Sequence, residues 1–380
     1  MNLSSRLLLT IFGAVIIIHY LLTLTHTEYR RVTSIESLTS HFRNDAHAPI
    51  PDRYYPSFSN ETLVVAHRAN ATFAILARNG DIDGVVRSVR EIEDRFNRRF
   101  MYPYVFLNDE EFSEEFKERV SILTSSKVEF GLIPKEHWVQ PSSIDEEKAE
   151  ASRNSMVKAG VIYAGSVSYR NMCRFNSGFF FRHPLLEKYR WYWRIEPDVH
   201  FHCDIRFDPF IYMEENNKVY AFTIAMYEFE KTIPTLWGHV KDFIKLHPEY
   251  IAEDNAMGFL SSDNGETYNL CHFWSNFEIA DMEFWRGEAY TKFFEYLDEK
   301  GGFYYERWGD APVHSIAASL FVPSSSIKFF DEIGYEHNPY THCPQNKDTW
   351  KAQRCSCNPR RSFDYDGYSC MKKWDDFNRG

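Results

Sequence analysis

The sequence predicts an α/β protein with a Rossmann-like central sheet and helices on both faces, preceded by one transmembrane helix. Three observations predict it. Between residues 62 and 133, strand-like apolar runs alternate with segments of helical period, the order that builds a parallel sheet with covered faces. Residues 7–24, LLLTIFGAVIIIHYLLTL, contain no Asp, Glu, Lys or Arg. The 380 residues are 44% hydrophobic and 17% aromatic, enough to fill one large core.

The amino-terminal run, at about 1.5 Å per residue in a helix, just spans a thin bilayer. It follows Arg6, and no small-x-small cleavage site appears before His26, Glu28 and Arg30, so an uncleaved anchor is expected rather than a signal peptide. A short cytoplasmic tail (1–6) then leaves everything beyond the anchor (7–24) in the lumen, the type II arrangement. Residues 25–61 are polar, with Pro49, Pro51 and Pro56, and are expected to form a stem. Residues 62–380 are expected to form one α/β domain. Asn60-Glu61-Thr62 and Asn70-Ala71-Thr72 are glycosylation acceptors in such a compartment. An oxidising lumen also favours disulfides among the seven cysteines, of which Cys343, Cys355, Cys357 and Cys370 are tightly grouped. The odd count leaves one thiol over, and spacing does not fix the pairing.

Within the domain, LVVAHRANATFAILARN from Leu63 supplies the first strand and stops at the Asn79-Gly80 turn. Val85, Val86, Val89, Ile92 and Phe96 then share a helical face. YPYVFLND from Tyr102 is the second strand, Phe112, Phe116 and Val120 mark the next helix, and KVEFGLI from Lys127 is the third strand. Residues 140–153 are an acidic linker or exposed helix start. A strand is expected from Val219, a helix from Ala289 to Leu297 closed by Gly301-Gly302, and another helix near Ala311. Parallel sheets bind ligands beyond the carboxyl ends of their strands. Arg78 and Asn108-Asp109 sit at two such ends, where they either meet a nucleotide or serve as turn residues. No G-x-G-x-x-G or Walker sequence accompanies them, so a dinucleotide in a Gly-rich turn is excluded. The net charge of −11 argues against nucleic acid as a partner and favours a small or uncharged polymer substrate.

In Tyr189–Glu196 the strand period of two places Trp191, Trp193 and Ile195 on one face and Tyr192, Arg194 and Glu196 on the other. Pro197 removes a backbone donor and ends the strand, leaving Glu196 and Asp198 at its carboxyl end. Such a pair either holds a divalent cation or is an ordinary strand end with Arg194 paired to an acid. Upstream, Arg170 and Arg174 are four apart on a helix, either a phosphate clamp or a solvated basic face.

The stretches YRNMCRFNSGFFFRHP and YRWYWRIEPDVHFHCDI resemble the fungal α-1,2-mannosyltransferases of glycosyltransferase family fifteen, type II Golgi proteins. The likeness continues through CHFWSNFEIADMEFWR, RWGDAPVHSIAASLF and GYEHNPYTHCP. It implies a GT-A type fold, a GDP-mannose donor, Mn²⁺ as cofactor, and retaining transfer to a mannosylated glycoprotein acceptor. By the same resemblance Glu196 and His337 are the metal ligands, Glu278 the candidate nucleophile, Asp310 a second active-site acid and Tyr169 a residue near the reaction centre. From composition alone His337 reads rather as a turn histidine beside Asn338-Pro339 and Glu278 as the solvent side of a strand, while Asp310 is equally a helix N-cap. Two other readings remain open at this level. One is a non-catalytic mannan-binding or partner protein, and the other is a mannosyl-phosphate transferase on the same fold. Oligomeric state is not legible.

Overall fold

Twelve strands carry the architecture of the computed structural model, which describes residues 49–55 and 67–379. The anchor expected at 7–24, most of the stem and Asn60 lie outside the described residues. Among the described residues no helix is long and apolar enough to cross a membrane. In chain order the strands are β1 (Ala71–Leu76), β2 (Tyr104–Asn108), β3 (Val128–Leu132), β4 (Trp191–Arg194), β5 (Val199–Phe201), β6 (Tyr220–Phe222), β7 (Ala225–Tyr227), β8 (Cys271–Phe273), β9 (Glu278–Asp281), β10 (Ile327–Phe329), β11 (Tyr335–His337) and β12 (Tyr340–His342). The longer helices are α1 (Ile82–Ile92), α2 (Glu114–Ser121), α3 (Glu146–Lys158), α4 (Val167–Gly178), α5 (Leu236–Leu246), α6 (Glu288–Lys300), α7 (Asp310–Phe321) and α8 (Met371–Arg379).

The main sheet has the order β10-β6-β9-β4-β1-β2-β3. Its half from β4 to β3 is parallel, as the alternation of strands and helices predicts. β9 runs against both β4 and β6, which makes the sheet mixed rather than purely parallel. This reversal matters for the site. The first residue of β9, Glu278, is opposite Arg194, the last residue of β4, and so stands at the carboxyl ends of the parallel strands.

α1 buries Val85, Val89 and Ile92, and Phe96 follows on the same side, so the expected face is the observed one. α2 begins after Ser113, whose hydroxyl accepts from the Phe116 amide. The first strand is shorter than expected, beginning at Ala71. Thr72 is fully buried within it, its hydroxyl donating to the Pro103 carbonyl at 2.9 Å, while the Asn70 amide donates to Lys188 at 2.8 Å. Asn70 itself remains exposed at this edge. The single strand expected from Val219 is two strands, because the chain leaves the main sheet after Phe222 and pairs as β7 with β8.

The Trp191, Trp193 and Ile195 side of β4 enters the main core, as the period of two requires. There Trp193 lies 5.5 Å from Phe73 and from Phe96, and Phe73 stacks on Tyr104 at 4.8 Å. A small sheet, β12-β11-β5, caps the site edge. Cys203–Cys355 and Cys343–Cys357 staple the chain around it, and Cys271–Cys370 ties the start of α8 to β8. Cys173 is the thiol left over, buried in α4.

Candidate active site

After Arg194 the chain passes through buried Ile195 to Glu196 and Pro197, turns at Asp198 with φ +60°, and continues as β5. Gly84 packs against this turn: a Cβ there would fall 2.7 Å from the Asp198 carboxylate and displace that side chain. β5 pairs with β11 in the register Val199 to His337, which brings Glu196 and His337 to the same mouth of the sheet. Between them stands Asn276, on the turn from β8 to β9. Its amide nitrogen contacts His337 Nδ1 and lies 3.5 Å from Glu196 Oε2. Two acceptor atoms from distant segments thus converge on one donor, the disposition a cation needs. Trp274 stacks on the His337 ring at 5.3 Å and holds its plane. Asp198 instead pairs with Arg87 and is 59% exposed, so Glu196 is the acid of this pair that faces the site.

Behind the mouth, Arg194 organises three carboxylates. Its Nε donates to Glu196 Oε1 at 3.0 Å, its Nη1 donates to Asp310 Oδ2 at 2.5 Å, and the same Nη1 lies 3.9 Å from Glu278. Burial opposes the charge on this guanidinium, but Glu196, Asp310 and Glu278 outweigh it and raise its pKa. Asp310 is the first residue of α7 and makes no capping bond, which corrects the N-cap reading. Its carboxylate is spent on Arg194 and on the Ser275 hydroxyl at 2.8 Å. Burial raises its pKa, yet Arg194 prevails and holds it below the usual carboxylate range.

Glu278 is 1% exposed, so it is not the solvent side of a strand. It accepts from the hydroxyls of Tyr192 at 2.8 Å and Tyr220 at 3.1 Å and from His314 Nδ1 at 3.0 Å. The other ring nitrogen of His314 faces the Asn176 carbonyl at 3.0 Å, so both nitrogens face acceptors. Burial first, and then Glu278, raise the pKa values of Tyr192 and Tyr220, which keeps both hydroxyls as donors.

A cleft of about 330 Å³ opens onto Glu278 and Arg194, with Ala74, Leu76, Leu107 and Asn176 among its walls. It lies along the last residues of β1, β2 and β4, between them and α4, next to the carboxyl ends where parallel strands present ligand sites. Asn108, the last residue of β2, is buried, and neither polar atom of its side chain has a partner within the protein. Such a group is left for a ligand or water. Arg78 leaves β1 with its side chain 68% exposed and paired to Asp81 through Nε at 3.1 Å and Nη2 at 3.0 Å.

Arg170 and Arg174 do not form the clamp their spacing suggests. Arg170 is fully buried, with Nη1 donating to the Ala164 carbonyl at 2.6 Å and to that of Ser166 at 3.1 Å, and Nε donating to the Glu306 carbonyl at 3.1 Å. Burial lowers its pKa to about 10. Arg174 makes a two-point bond to Asp298, at 2.7 and 2.8 Å. The helical face they share packs inward, so their charge is consumed in holding α4 in place. Tyr169, from the same helix, is close enough to Asp310 for that charge to act on its hydroxyl. It stacks between Tyr163 at 4.7 Å and the guanidinium of Arg307 at 5.2 Å. Sequence reasoning missed Asn276, His314, Arg307 and Glu228, which pairs with Arg307 at 3.6 Å. The one available signal was that Asn276, Arg307 and His314 lie inside the same motifs as Glu278 and Asp310.

A family model described as glycolipid 2-alpha-mannosyltransferase matches residues 25–379. The chain is similar to glycolipid 2-alpha-mannosyltransferase 2 of Candida albicans, with 57% identity over 311 residues that cover 82% of this chain and 68% of that protein. The mannosyltransferase Ktr4p of S. cerevisiae, solved in complex with GDP, is 39% identical with a TM-score of 0.80, over 91% of this chain and 92% of that one. Core-mannan synthase A of Aspergillus fumigatus, solved in its Mn/GDP form, is 38% identical with a TM-score of 0.77, over 88% of this chain and 89% of that one. The mixed sheet, the mouth between Glu196 and His337 and these likenesses agree, and the chain belongs to the glycolipid 2-alpha-mannosyltransferase family, glycosyltransferase family fifteen.

Proposed function

We propose that the protein transfers mannose from GDP-mannose to the 2-hydroxyl of a terminal mannose on a glycoprotein glycan, with retention of the α configuration. The observation that carries this reading is the convergence of Glu196 and His337 beside a buried Arg194–Asp310–Glu278 cluster, at the carboxyl end of the sheet. One carboxylate and one imidazole fit Mn²⁺ whose remaining positions are taken by diphosphate oxygens and water. Among the described residues no group of three or more His, Cys, Asp or Glu stands close enough to hold a metal ion alone. Bound there, Mn²⁺ supplies positive charge to the leaving diphosphate.

The chain's own residues do the rest. Arg194 fixes Glu196 through one oxygen and leaves Oε2 facing the Asn276 amide, which also contacts His337. Glu278 holds a negative charge in a low-dielectric wall of the cleft, where it stabilises the positive charge that develops at the anomeric carbon. Three donors already occupy this carboxylate, which favours an electrostatic role over a covalent one. Asn108 and Arg78 line the exit of β1 and β2 for the nucleotide, and Tyr169 borders the acceptor side. The apolar run at 7–24 and the three disulfides support a single-pass type II protein with its catalytic domain in the Golgi lumen.

The test is transfer from radiolabelled GDP-mannose to methyl α-mannoside, with the linkage of the product read by NMR. An α-1,2 product formed only with a divalent cation is expected. Absence of transfer, or a mannosyl-phosphate product, overturns the reading.

A further inference from the structure

We propose that a ledge of aromatic rings running from His337 to Phe229 holds the mannose units that lie behind the accepting one in an α-linked chain. The inference rests on the mannosyl-transfer reading above. Trp274 stacks on His337 at 5.3 Å, Tyr340 lies 5.5 Å from Trp274, Tyr368 lies 6.3 Å from Tyr340, and Phe229 lies 5.9 Å from Tyr368. These rings come from four separate segments of the chain, yet form one unbroken row that starts at the candidate transfer site. Phe229 ends the row 52% exposed. Trp274, Tyr340 and Tyr368 rest half-buried on the main core, so the row meets solvent along one edge and fully only at Phe229. A lone exposed aromatic needs no explanation, but a contiguous row that leads from the candidate site to it does.

The row is bordered by unspent polar groups. Arg307 is 4% exposed, and its Nε has no partner within the protein. The Tyr368 hydroxyl is also buried without a partner. The Tyr227 backbone N–H donates to the Tyr368 carbonyl at 3.3 Å, which sets Tyr368 beside the segment that carries Glu228, the partner of Arg307 at 3.6 Å. Ring faces beside unsatisfied donors are what a pyranose selects, because a sugar presents C–H groups on one face and hydroxyls along its edge. Continuity with the transfer site selects the acceptor chain as occupant, since everything attached to the accepting mannose has to leave the site along a neighbouring surface.

The experiment compares methyl α-mannoside with α-linked mannobiose and mannotriose as acceptors for the full-length chain, wild type and Phe229→Ala. For the wild type, KM is expected to fall as the acceptor lengthens. In Phe229→Ala the ratio of monosaccharide to trisaccharide KM values is expected to shrink about three- to tenfold, the range of one aromatic contact, and Phe229→Tyr is expected to restore it. Titration of mannotriose against the intrinsic tryptophan fluorescence, without donor, is expected to show the same weakening in Phe229→Ala. Transfer with a KM independent of chain length, or an unchanged ratio in Phe229→Ala, overturns the ledge alone. Concentration-dependent dimerisation of the wild type that Phe229→Ala abolishes also overturns it, by assigning the rings to a second copy. No transfer to any mannoside overturns the parent reading instead.

Discussion

Glu278 and Glu196 flank the same guanidinium, and the protein surrounds them differently. Glu278 is 1% exposed and receives two tyrosine hydroxyls and a histidine N–H, with Arg194 nearby. Glu196 has a side chain 22% exposed, one oxygen held by Arg194 and the other facing only the Asn276 amide, 3.5 Å away. The first carboxylate is finished by the fold. The second is left incomplete at a mouth where a matching imidazole also waits. A buried polar network that is fully satisfied is rigid and costly to break, whereas a partly satisfied pair near solvent costs the fold little and is available to a ligand. The difference separates structural electrostatics from binding chemistry within one cluster.

The largest expected effect breaks the incomplete side. Glu196→Ala and His337→Ala should each lower kcat by about a hundredfold or more, the scale of losing an electrostatic catalytic group. His337→Ala should hardly move the urea midpoint, whereas Glu196→Ala removes an oxygen that holds the buried Arg194 and should lower it as well. Calorimetry should show that GDP binding no longer responds to Mn²⁺. Full activity in both variants sinks the assignment.

Glu278 should respond in the opposite proportion. Glu278→Ala leaves the donors Tyr192, Tyr220 and His314 buried and unpaired, and should cost about 3–5 kcal/mol of stability, read from urea unfolding. Turnover in the more conservative Glu278→Gln should fall by tens of fold, with GDP affinity retained. A trapped mannosyl-enzyme at Glu278 in mass spectra of the wild type would instead restore the covalent mechanism.

This contrast was only half legible in the sequence. The period of two in YRWYWRIE placed Tyr192, Arg194 and Glu196 on one face, and the structure finds all three in the cluster. The helical spacing of Arg170 and Arg174 was equally visible, but spacing says which residues share a face and not whether that face meets solvent or core. Here it meets core. Asn276 and His314 could not be found from pattern, because their partners lie 61 and 36 residues away and are brought near by β-sheet register and the placing of α7. The antiparallel run of β9, which sets Glu278 opposite Arg194, likewise has no local signal: four residues of strand look the same in either direction. The disulfide pairing is long-range for the same reason, with 152 residues separating Cys203 and Cys355.

A smaller effect sharpens the comparison by testing whether the two sides are coupled. Arg194→Lys keeps a charge but loses the planar fork that reaches Glu196 and Asp310 together. It should lower turnover about tenfold and weaken Mn²⁺-dependent GDP binding. A double-mutant cycle with Glu196→Gln should give a coupling energy of about 1–3 kcal/mol, as for residues in one network. Additive effects would mean that Arg194 serves only the Glu278 side.

The smallest effect on turnover concerns the hairpin that carries His337. His342, on β12, is fully buried, with Nδ1 3.0 Å from both oxygens of Asp364. Burial lowers its pKa, but Asp364 outweighs burial and raises it to about 9. A folded pKa above the ordinary value of about 6.5 means that the charged ring stabilises the fold fully below about pH 6.5. That stabilisation is lost as pH rises through about 9. The urea midpoint should therefore fall between these limits, and His342→Gln should flatten the fall. Because β12 pairs with β11 and positions His337 rather than touching substrate, activity at low urea should change only a few-fold over the same range. A steep loss of turnover without loss of stability would place the titrating group in the incomplete side of the cluster instead, and the contrast between a finished cage and an open mouth would have to be drawn elsewhere.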